Sequence, residues 1–129
     1  MNEYEYSSTY QPAAPICDIY LGQPGHKATM GPLQALMDTG SDMTVIPLSY
    51  LRQVAAKRIS QGQARSMWGD SRQVEIYMVA FALNTLHIST LQVLADDTTD
   101  EIVIGRGVLN RLKLVLDGPS AMTHIIEII

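Results

Sequence analysis

One cysteine in 129 residues, Cys17, leaves no intrachain disulfide framework, and a lone thiol suits a reducing, cytoplasmic setting. Nine Lys and Arg against 13 Asp and Glu give a net charge of -4, with no basic stripe, so nucleic acid is not expected as a partner. No apolar run approaches a membrane span, and the acidic, Tyr-rich start lacks the basic and apolar regions of a signal peptide. His26, His87 and His124 have no metal-ligand spacing, and the acidic run from Asp96 to Glu101 does not match an EF-hand loop. No metal is expected, and 96–101 is expected to be a solvated turn. Gly105-Arg106-Gly107 lacks the third glycine and the flanking pattern of a dinucleotide loop, so no cofactor is expected either. The length suits one domain with one core, and 47% hydrophobic residues is ordinary for a globular chain.

What the chain does have is the stretch Ala35-Leu36-Met37-Asp38-Thr39-Gly40-Ser41-Asp42-Met43-Thr44-Val45-Ile46-Pro47. Leu36 and Met37 read as the end of a buried strand, and Thr44 to Ile46 as the start of another. Asp38 therefore sits on a tight turn between apolar runs, where a carboxylate needs hydrogen bonds and becomes a candidate for acid/base chemistry. Gly40 lets the backbone turn with its amide facing inward, and the hydroxyls of Thr39 and Ser41 are local donors.

Asp38-Thr39-Gly40-Ser41 between apolar strands resembles the active-site loop of aspartic proteases, and the match through Asp42, Thr44, Val45 and Ile46 resembles the retropepsin branch. A second signature, Glu101-Ile102-Val103-Ile104-Gly105-Arg106-Gly107-Val108-Leu109, resembles the apolar-apolar-Gly-Arg element that closes that fold beneath the catalytic loop. The two motifs, in the family's order and near its spacing, cover most of 16–116. The run from Leu109 to Pro119 and the initiator Met resemble stand-alone bacterial members. The implied fold is a mostly β, closed barrel-type half-domain with one or two short helices. Asp-Thr-Gly also occurs in actin-type and kinase-type folds, but those need far longer chains.

In chain order, 1–15 carries Pro12 and Pro15 and reads as an extended arm, and 16–129 as the domain. Strands are expected over 16–21, 33–37, 73–83, 86–95, 102–104, 113–116 and 124–129. Leu48, Leu51, Val54, Ala55 and Ile59 fall at helical spacing after Pro47, which predicts a short surface helix ending near Lys57 and Arg58. Gln61 to Asp70 reads as polar loop. A second short helix is expected over 107–112.

The resemblance implies a flap near 62–80 with its tip around Ser66–Ser71, Gly69 supplying the turn and Trp68 closing over substrate. It also implies that the apolar segment near 123–129 pairs with a twin subunit. The aspartic mechanism needs two carboxylates, and this chain carries Asp-Thr-Gly once. The expected enzyme is thus a homodimeric aspartic endopeptidase acting on extended peptides, with Asp38, Thr39 and Gly40 catalytic. Gly40, Asp42, Trp68 and Gly69 are expected to bind substrate. Ser41, Gly105 and Arg106 are expected to support the site, with the Ser41 hydroxyl reaching the Asp38 carboxylate and an Asp42–Arg106 ion pair joining loop to helix. The competing reading is a retropepsin-like dimerisation or peptide-binding scaffold that does not cleave.

Overall fold

Residues 3–65 and 68–126 are described by the computed structural model. Within them the chain runs β1 (Glu3–Glu5), β2 (Ile16–Gly22), β3 (Met30–Met37), β4 (Val45–Pro47), α1 (Leu48–Gln53), β5 (Lys57–Arg65) and β6 (Ser71–Leu83). It continues through β7 (Leu86–Asp96), β8 (Ile102–Ile104), α2 (Arg106–Leu109), β9 (Lys113–Asp117) and β10 (Met122–Ile126). The fold is mostly β, as the strand pattern predicts.

Period-two alternation builds the barrel. Along β2, Cys17, Ile19 and Leu21 are fully buried while Asp18 and Tyr20 turn away. Val79, Phe81 and Leu83 of β6 and Val93 of β7 fill the same interior. The strand order β2-β3-β8-β4-β7-β6 closes on itself where Tyr20, Leu21 and Gly22 pair with Ala82, Phe81 and Ala80. Closure removes the sheet edges and gives one sealed apolar core. β5 hangs outside this ring on β6 alone.

β8 is threaded between β3 and β4. It runs parallel to β3, with Leu36 opposite Val103, and antiparallel to β4, with Val45 opposite Val103. Ile102 and Ile104 are buried there, as expected for a strand with both edges paired. The threading brings the loop after β3 against the start of α2, which is what assembles the site.

The segment after α1 differs from its predicted form. The helix ends at Gln53, and the chain turns at Ala55, whose φ of 53° is left-handed. Lys57, Arg58 and Ile59 then belong to β5, and the expected polar loop at 61–65 is strand paired with β6, from Gln61 opposite Glu75 to Arg65 opposite Ser71. Arg58 and Glu75 meet across this hairpin at 3.0 Å. β5 stands clear of the barrel and is polar on both faces, so hydrophobic alternation cannot mark it.

A second, three-stranded sheet has the order β1-β10-β9. Glu3, Tyr4 and Glu5 pair with His124, Thr123 and Met122, while Lys113–Asp117 pairs along the other side of β10. Over Met122–His124 the strand expected to pair with a twin subunit has a neighbour on each side, while Ile125 and Ile126 pair with β9 alone among the described residues. Residues 127–129 of that expectation lie outside the described residues. The arm after β1 folds back on itself through paired amides and carbonyls of Ser7 and Ala14.

Candidate active site

β3 delivers Asp38 to the end of the barrel. The amide of Met37 donates to the Pro15 carbonyl at 3.1 Å and that of Asp38 to the Ile104 carbonyl at 3.0 Å, so the backbone is anchored up to the carboxylate itself. The turn then closes over the side chain: the Gly40 amide donates to Asp38 Oδ1 at 2.8 Å, and the Ser41 amide to the Asp38 carbonyl at 3.2 Å. A Cβ on Gly40 would stand 3.1 Å from the same Oδ1, so a residue here must be small and aimed correctly. Asp38 is half-buried, and Thr39 and Gly40 are exposed. A carboxylate oxygen that accepts from a backbone N–H is fixed in orientation.

Beneath the loop lies a buried bond that the sequence reading missed. Thr44, 2% exposed, accepts the Gly105 amide on Oγ1 at 3.2 Å. The only local signal is a hydroxyl residue inside an apolar run. Gly105 is required for a steric reason: a Cβ there would fall on the Met43 carbonyl and 2.8 Å from the Ser41 oxygen. The Asp38 loop and the closing element are thus in backbone contact.

Arg106 makes the next connection. Its amide donates to the Ser41 carbonyl at 2.8 Å, and its guanidinium Nη1 donates to the Thr39 carbonyl at 2.7 Å. The expected ion pair with Asp42 is not among the ion pairs of the described residues. The guanidinium is engaged by a main-chain oxygen instead, and the loop meets α2 through the Gly107 amide on the Asp42 carbonyl at 3.3 Å. Ser41 also departs from expectation. Its hydroxyl donates to the Met43 carbonyl at 2.7 Å, so it tightens the loop rather than reaching the Asp38 carboxylate.

Asp38, Thr39, Gly40, Ser41, Asp42, Gly105 and Arg106 are therefore brought together by β3, β8 and α2. Trp68 and Gly69 stand on a different element, the turn joining β5 to β6, where Trp68 is 83% exposed and Gly69 has a φ of 87°. The tip residues Ser66 and Met67 lie outside the described residues. No group of three or more His, Cys, Asp or Glu among the described residues is placed to hold a metal ion. No described helix is long and apolar enough to cross a membrane.

The same architecture recurs in solved structures. The EIAV protease complexed with the inhibitor HBY-793 superposes with a TM-score of 0.56 at 23% identity, over 75% of this chain and 86% of that one. A retropepsin-like aspartic protease from Rickettsia conorii superposes with a TM-score of 0.61 at 8% identity, over 97% and 93%. The retroviral protease-like domain of Ddi1 from Leishmania major gives 0.51 at 14% identity, over 88% and 94%. No protein-family model and no curated protein sequence matches the chain. On these superpositions, this chain has the retropepsin-like fold.

Proposed function

We propose that two copies of this chain form an aspartic endopeptidase, each supplying one Asp38. The observation that carries this reading is the Asp38 turn: a carboxylate held by the Gly40 amide at 2.8 Å on a loop facing outward, present once per chain. A single carboxylate cannot be both base and acid, whereas a close pair shares one proton and divides the two roles. In the proposed cycle the ionised Asp38 takes a proton from water, and the oxygen attacks the peptide carbonyl carbon. The protonated Asp38 of the second copy donates to the carbonyl oxygen. The tetrahedral diol then collapses as a proton passes to the amide nitrogen and the C–N bond breaks.

Thr39 is assigned to the two-fold contact. Its carbonyl is already held by Arg106, and its side chain is on the exposed side of the loop. Substrate is an extended peptide bound by strand addition, with Gly40 and Asp42 meeting its backbone and the β5–β6 turn covering it. The position of Trp68 on that turn, 83% exposed, supports this role. The buried thiol of Cys17 fits the reducing, cytoplasmic setting.

Asp38→Asn tests the reading. It keeps the size of the side chain and an acceptor for the Gly40 amide, so cleavage should vanish while the fold and the sedimentation behaviour persist. If peptides bind equally to both forms and neither cleaves, the protein is a peptide-binding scaffold.

A further inference from the structure

The turn between β2 and β3 folds against the β6–β7 hairpin and leaves a cavity of about 290 Å³ beside the seam where β2 meets β6. Its floor is apolar and buried, made by Ala80 and Phe81 of β6 and Ile88 of β7. Around that floor stand His26, Lys27 and His87, all exposed, with Ala28 and Ser89 completing the wall. None of these residues belongs to the Asp38 loop or to α2. We propose that the cavity binds a small organic carboxylate, its apolar body on the floor and its charged group among Lys27, His26 and His87.

Backbone contacts fix both walls. The Gly25 amide donates to the Ser89 carbonyl at 2.9 Å and ties the turn to β7, while the amides of His26 and Thr29 donate to the carbonyls of Gln23 and Leu21 at 3.0 and 3.1 Å. The turn passes so close to the end of β2 that a Cβ on Gly22 would stand 2.6 Å from the Lys27 carbonyl oxygen. β7 is bulged at the same point: Val79 pairs with Leu91 and Phe81 with Ile88, so Ser89 and Thr90 together oppose Ala80. A bulge interrupts the ladder and re-aims the strand's groups, and here the Ser89 carbonyl takes the Gly25 amide. Lys27 and His87 are thus carried to one cavity on backbone held from both sides.

Charge selects the ligand. The chain as a whole is acidic, at -4, yet no Asp or Glu lines this cavity. Among the described residues Lys27 makes no ion pair, and neither imidazole has a side-chain partner. An ammonium donates as a point charge, and an imidazole donates from a ring nitrogen whether neutral or charged. Three donors around an apolar floor match an anion with an apolar body, the usual make-up of a small-molecule site. An inorganic anion leaves the floor unused, and a neutral apolar molecule leaves Lys27 unpaired. The two imidazoles have no third ligand among the described residues that would make a metal site.

Titration of the labelled full-length chain with 3-phenylpropanoate, followed by amide NMR, tests the proposal. Saturable shifts are expected at the amides of Gly25, Lys27 and Ser89, and thermal melts should rise with the carboxylate, as for any ligand of the folded state. The neutral 3-phenylpropanamide, acetate and inorganic phosphate should each bind more weakly by about fivefold or more. Lys27→Gln, at an exposed position, should weaken the probe by a similar factor with the fold intact, and Ala28→Leu should block it by filling the cavity. Absence of saturable shifts at millimolar probe, shifts centred elsewhere, equal binding of the amide or of phosphate, or indifference to Lys27→Gln would overturn the proposal. It stands apart from the Asp38 reading, and Asp38→Asn should bind the probe as the wild-type chain does.

Discussion

The Arg106 guanidinium donates to the main-chain oxygen of Thr39 at 2.7 Å, a bond from the closing element directly onto the loop that carries Asp38. Because the acceptor is a carbonyl, the contact survives any change of side chain at the loop. It works as a brace on backbone position, not as a charge pair.

Arg106→Ala should therefore lower unfolding free energy by about 1 kcal/mol, the worth of an ordinary hydrogen bond, because the guanidinium is exposed. Asp42→Asn should change it by less than about 0.5 kcal/mol, as for a surface side chain without a structural bond. Urea unfolding of the two variants checks this. Equal losses in both would restore the ion pair.

Two buried threonines should respond in opposite directions. Thr44→Val strips the Gly105 amide of its acceptor and should cost about 1–3 kcal/mol, the penalty for a buried unsatisfied donor. Thr123 is fully buried with no hydrogen-bond partner for Oγ1 among the described residues. Thr123→Val should leave stability unchanged or raise it by up to about 1 kcal/mol. Paired denaturation midpoints give the comparison.

Gly105→Ala should be the most damaging single methyl near the site. The new carbon meets backbone oxygens of Met43 and Ser41, which cannot rotate away, so the loop or α2 must shift. A loss of about 3 kcal/mol or failure to accumulate folded protein is expected. Gly107→Ala, with 3.7 Å to the nearest carbonyl, should be tolerated, and the two thermal melts measured together make the contrast.

Alkaline stability should bear the mark of Cys17. Burial, with a smaller push from Asp18, raises its thiol from the ordinary 9.0 to about 12. Between those values the folded chain keeps a proton that the unfolded chain has released, so stability falls as pH rises above 9. Tyr4, raised from 10.0 to about 12 chiefly by burial, adds to the fall at higher pH. Cys17→Ala should be less stable at neutral pH, through the lost packing, yet show a shallower alkaline decline. Urea midpoints across that pH window read the slope.

The site was legible in the sequence where its signal is local. Asp38, Gly40 and the threaded strand Ile102–Ile104 are marked by a carboxylate and glycine between apolar runs, which turn chemistry and burial constrain together. The partners of the side chains were not legible. Whether Arg106 meets Asp42 or a carbonyl, and whether Ser41 reaches Asp38 or Met43, depends on ångström-scale placement across 60 or more residues of chain in the first case and on turn geometry in the second. β5 was hidden for another reason. Leu48, Leu51 and Val54 carry a true helical period that Ile59 continues by chance, and Lys57–Arg65 has no apolar face to break it. The pairing of β1 with β10 is a contact between the two ends of the chain, which no window of sequence contains.

Cleavage of a diverse peptide library between about pH 4 and pH 7, followed across protein concentrations with Asp38→Asn alongside, tests the account most directly. The account predicts a rate that climbs faster than linearly with protein until dimer saturates, and no cleavage by the variant. A rate strictly proportional to protein at concentrations where sedimentation finds monomer, or cleavage that survives Asp38→Asn, would contradict it.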